Sequence, residues 1–109
     1  MSLGERFQTN LATGPDGRAA MVNAKVILGL DGNAEPKELE SLIASFNARL
    51  GMARSAIIHE FGNVYFDEVN SPDGQFALAE SMSRALQEQF ETNIYIRVFF
   101  SDWNVQRGR

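Results

Sequence analysis

The side chains of this chain that could perform chemistry are few and scattered. His59 is the only histidine, and the neighbouring Glu60 makes the pair a candidate general acid or base. Asp67, Glu68 and Asp102 carry the hard oxygen donors a divalent cation takes, and Arg107 and Arg109 are donors for an anion. None of these sets has the spacing its chemistry needs. Adjacent residues on a strand face opposite ways, so His59 and Glu60 would not act together. No Asp-x-Asp-x-Asp-Gly loop gathers the carboxylates, and the two arginines share a chain end, where fraying is the rule. With no cysteine, no phosphate loop and no nucleophile motif, the sequence implies no metal or cofactor and favours a binding protein over an enzyme.

The elements that must position these residues are clearer. In Asn93–Phe100, Ile94, Ile96, Val98 and Phe100 alternate with Tyr95, Arg97 and Phe99, the period of a strand with one apolar face. Asn23–Leu30 is apolar on both faces and reads as a central strand. Leu39, Leu42, Ile43, Phe46 and Leu50 predict a helix over about 35–50, with Pro36 in its first turn and Gly51 just past its end. Ala53–Glu60 and Val64–Val69 flank Phe61-Gly62-Asn63 and predict a hairpin. After Ser71-Pro72-Asp73-Gly74, a second helix to about 90 carries the stripe Leu78, Ala79, Met82, Ala85, Leu86 and Phe90.

That order, strand-helix-strand-strand-helix-strand, predicts a ferredoxin-like α+β sandwich: a four-stranded antiparallel or mixed sheet with two helices on one face. The halves superpose in sequence, Val64 on Val26 and Ile94–Phe100 on Ile57–Phe61. Residues 23–104 then form a single domain, which 109 residues at 44% hydrophobic composition can support. Residues 1–22 are a mobile arm or an extra N-terminal edge strand, since Phe7, Thr9 and Leu11 alternate before the turn-rich Thr13–Gly17; residues 105–109 are a frayed tail.

Such a sheet leaves one face without a helix, and the outward set is Tyr95, Arg97 and Phe99 with Tyr65, Asp67 and Val69. Asp67 is the nearest carboxylate in sequence for Arg97. Self-association is the first reading of so aromatic a face, a dimer being favoured and a trimer possible. Residues 5–20 folding back over it is the second. Base stacking, as on an RNA-recognition sheet, is the third, but NVYFDEVN has no RNP-like pattern and net charge −4 argues against tracking phosphates.

The C-terminal third, Ile94–Phe100 followed by Asp102-Trp103-Asn104, resembles the end of tautomerases of the macrophage migration inhibitory factor type, which are built from two βαβ halves and form trimers. That resemblance implies a catalytic proline at the start of the first strand, and here Met21-Val22 precede Asn23 instead. The expectation is therefore a small soluble acidic protein that binds partners, itself first, through an aromatic-rich open sheet. The alternatives are a tautomerase-like enzyme lacking its proline, or an acidic regulator or inhibitor docking on a basic partner. With no signal-peptide pattern and no run of about 20 apolar residues, a cytoplasmic location and no membrane contact are expected.

Overall fold

The computed structural model describes residues 1–108, ordered β1 (Phe7–Asn10), β2 (Ala20–Leu30), α1 (Pro36–Ala48), α2 (Leu50–Phe61), α3 (Phe66–Val69), α4 (Pro72–Gln89) and β3 (Ile96–Arg107). The two long strands show why a sheet forms. In β2, Ala20, Val22, Ala24, Val26 and Leu28 are buried, while Met21, Lys25 and Ile27 stay exposed. Ile96 and Val98 of β3 extend the buried row, so a period of two sets one face against the core. The strands pair antiparallel in the order β1-β2-β3, with Val26 opposite Phe100, Ile27 opposite Phe99 and Leu28 opposite Val98.

One extra residue re-phases the far half of β3. The register shifts between Asn23 and Lys25, where the single Ala24 faces both Asp102 and Trp103, and Asp102 adopts the left-handed conformation (φ 53°). This is a β-bulge. Simple alternation would send Phe100 and Trp103 to opposite faces, but the bulge brings both onto the core side, ring centroids 4.9 Å apart and each beside Phe61. Arg6 fixes the bulge by donating to the Asp102 carboxylate at 3.2 Å and to its backbone carbonyl at 2.9 Å.

The four-stranded ferredoxin-like sandwich is overturned: there are three strands among the described residues, and the segments read as a hairpin are helical. Ala53, Ile57 and Phe61 recur at four-residue intervals and all three are buried, the stripe of a helix. Gly51, which the sequence predicts just past a helix end, is the second residue of α2. Arg49 alone separates α1 from α2. Tyr65 precedes the four-residue α3, which ends against α4 so closely that a Cβ on Gly74 would lie 1.6 Å from the Glu68 carbonyl oxygen. Any side chain there would displace α3.

Both chain ends are tied to β2. Phe7–Asn10 pairs with Met21–Ala24, and upstream the Leu28 N–H donates to the Met1 carbonyl (2.7 Å) and the Leu3 N–H to that of Val26 (3.3 Å). Residues 105–107, read as a fraying tail, lie in β3, and the Gly108 N–H donates to the Ala19 carbonyl; Arg109 lies outside the described residues. The helices cover one face of the sheet, where Phe46 and Phe90 meet at 4.4 Å between centroids, a geometry worth about 0.5–1.5 kcal/mol beyond the area it buries.

Candidate functional site

The six residues expected on the open face do not share it. Arg97 and Phe99 do, as exposed outward residues of β3. Tyr65 caps α3 instead, Val69 is fully buried within it, and Asp67 pairs with Arg107, whose guanidinium also lies 4.3 Å from the centre of the Phe66 ring. Asp67 is thus the partner of Arg107 and not of Arg97. The outward face of β2 adds Met21, Lys25 and Ile27, and Asp102 bridges Arg6 and Lys25 there, so the face is mixed in character and not a plate of aromatics.

The catalytic and metal candidates are likewise dispersed. His59 and Glu60 lie on exposed and half-exposed positions of α2, adjacent along the helix and so directed about 100° apart around it. The carboxylates of Asp67 and Asp102 are each held by cations on opposite sides of the fold, and no group of three metal-ligating side chains exists among the described residues.

What the structure does gather lies along the free edge of β3. The largest exposed apolar side chains there are Phe76 of α4 (68% exposed), Tyr95 (44%) and Phe99 (41%). Together with Gln75, Ala79, Glu80, Arg97, Val98 and Phe100 they line a cleft of about 520 Å³ between α4 and β3. Phe99 lies over Gly29, where an added Cβ would meet its ring at 3.1 Å, so the glycine lets the ring settle against β2. The Arg97 guanidinium sits 4.9 Å from the centre of that ring and makes no ion pair among the described residues. Tyr95 reaches around the edge to donate its hydroxyl to Glu80 at 2.9 Å. The carboxylate accepting that proton holds the phenol above its ordinary pKa, with its desolvation and the Glu80 charge adding and Arg97 opposing.

Phe76 escaped the sequence reading, although a signal was present. It stands two residues before Leu78, off the stripe of Leu78, Met82 and Leu86, so a large apolar ring is aimed at solvent. Glu80 lies off the apolar stripe of its helix, and nothing local in the sequence marks it as the partner of Tyr95.

Fold and surface together define a small α+β domain that concentrates its exposed rings at one sheet edge. The model of the family described as flagellar basal body-associated protein FliL matches residues 1–106, and the chain belongs to that family. A comparison with curated proteins finds no match. Membership corrects two expectations at once: an acidic interaction protein of unspecified role becomes a member of a basal-body family, and a free cytoplasmic location gives way to association with that assembly. Protein partners follow from it. No helix among the described residues is long and apolar enough to cross a membrane.

Proposed function

We propose that the chain is a docking domain of the flagellar basal body, which engages a protein partner through Phe76, Tyr95, Arg97 and Phe99. The observation that carries this reading is the convergence of Phe76, Tyr95 and Phe99, all more than two-fifths exposed, on one cleft. Scattered single apolar side chains are ordinary on a protein surface, whereas a contiguous group rimmed by polar residues marks an interaction site. Arg and aromatic side chains are also the types that anchor interfaces.

The test is co-sedimentation with basal bodies isolated from the host and motility in soft agar. The double variant Phe76→Glu, Phe99→Glu loses association and slows spreading while its circular dichroism and melting temperature stay those of the wild type. Undiminished association of that folded variant overturns the reading. The homo-oligomer expected from the sequence enters here as one occupant of the same patch: sedimentation of the isolated chain at tens of micromolar, wild type against the double variant, reads it directly.

A further inference from the structure

The cleft between α4 and β3 has a floor of backbone. Antiparallel pairing alternates residues whose N–H and C=O face the neighbouring strand with residues whose groups face away. Leu28 and Val26 direct their groups toward the N-terminal segment, through the bonds with Met1 and Leu3. Their cross-strand partners Val98 and Phe100 must therefore direct theirs to the opposite side, the free edge of β3. Ile96 follows the same rule.

α4 runs antiparallel to this edge and covers only its beginning. The buried Ser83 hydroxyl donates to the Ile96 carbonyl, and Gln87 Nε2 donates to that of Ile94 at 3.0 Å. Farther along, the helix offers Ala79, Phe76 and Gln75, and no protein group among the described residues bonds the N–H or C=O of Val98 or Phe100. Both residues line the cleft. An unpaired row of this kind is the template onto which another strand adds.

We infer that Val98–Phe100 receives an extended segment of a partner protein as a fourth strand, with apolar side chains against Phe76 and Phe99 and a carboxylate against Arg97. The backbone row calls for an extended peptide rather than a helix, because only an extended chain presents alternating N–H and C=O groups at the spacing of Val98 and Phe100, roughly 7 Å apart. Charge complementarity selects the carboxylate. Glu80 is already engaged by Tyr95, while the Arg97 guanidinium beside the cleft has no ion-pair partner among the described residues. The proposal rests on the docking reading and names how the docked partner is held.

Selection of a displayed library of random peptides of about a dozen residues, a length that covers the edge with margin, supplies the probe. Peptides enriched on the full wild-type chain are synthesised, and hydrogen exchange at the Val98 and Phe100 amides is followed by NMR. Bound peptide slows both amides roughly tenfold or more, the exchange free energy rising as edge groups become paired. Methylating alternate peptide nitrogens abolishes binding, and Arg97→Glu weakens acidic binders about tenfold. Protection confined to other amides, or binding indifferent to N-methylation, overturns strand addition, as does a library that enriches nothing beyond what Phe76→Glu, Phe99→Glu enriches. Peptides that need Phe76 and Phe99 yet leave both amides unprotected refute the strand and keep the docking patch. Basal-body association that survives in the double variant refutes the patch independently.

Discussion

The two edges of the sheet face the same hazard and are treated differently. On the β1 side, Arg54 of α2 donates to the carbonyls of Leu3 at 2.6 Å and Glu5 at 2.8 Å, and its guanidinium lies 4.0 Å from the centre of the Phe7 ring. One long cation secures carbonyls of the segment just upstream of β1. On the β3 side, the shorter Ser83 and Gln87 secure the Ile94 and Ile96 carbonyls and stop, and the apolar Phe76 takes over where the donors end. Open strand edges promote aggregation, and proteins usually cover them. Both edges are capped over part of their length, and what distinguishes the β3 edge is the group of exposed rings, Phe76, Tyr95 and Phe99, beside its open stretch.

Phe61 joins the two edges, and its truncation is the most damaging change expected. The ring is fully buried, 6.2 Å from Phe7 of β1 and 6.1 Å and 6.3 Å from Phe100 and Trp103 of β3. Phe61→Ala should cost about 3–5 kcal/mol in urea denaturation, by lost transfer energy and the cavity left behind. A cost below 1 kcal/mol would show that the edges are held independently and would break the comparison at its base.

The helix-borne donors come next. Arg54→Leu removes charge-assisted bonds and a cation–π contact from a partly exposed site, and should cost roughly 2 kcal/mol with faster exchange of the amides in residues 1–7. Ser83→Ala leaves the buried Ile96 carbonyl without its donor and should cost about 1–2 kcal/mol, with faster exchange confined to the start of β3. If each change instead loosens both edges equally in native-state exchange, the two caps are not separate devices.

How much of this was legible follows from the same edges. The last strand could be read because Ile94 through Val98 keep strict alternation, and the helix of Leu78, Met82 and Leu86 because its stripe is regular. Ala53–Glu60 was misread because Ala, Ile and His fit either period over eight residues, and only the spacing to Phe61, assigned to the supposed turn Phe61-Gly62-Asn63, decides for a helix. Once that run was made a strand, the turn-like Phe61-Gly62-Asn63 recruited Val64–Val69 as its hairpin partner, which carried Tyr65, Asp67 and Val69 onto a sheet they never join. The cleft itself was hidden for a plainer reason. It depends on which backbone groups β2 leaves unpaired, and that is fixed by the pairing of residues 1–3 with Val26–Leu28, about which the side chains carry no pattern.

The smallest effect tests the latch across the β3 edge. Tyr95 lies just before β3, and its hydroxyl bond to Glu80 ties the mouth of the cleft to α4. Because the carboxylate accepts the proton, the phenol holds it more tightly in the folded chain than in the unfolded one. The latch's contribution is accordingly complete below the unfolded pKa of about 10 and is lost as pH rises through the higher folded value. NMR titration of the Tyr95 ring carbon bearing the hydroxyl should place its midpoint above the free-tyrosine value. Glu80→Gln should lower that midpoint, since a neutral amide still accepts the bond but no longer opposes the phenolate. At neutral pH the same variant should leave the melting temperature nearly unchanged, as the pair is exposed to solvent. A midpoint indifferent to Glu80→Gln would mean that Tyr95 does not bridge strand and helix, and that the mouth of the cleft is open along with its floor.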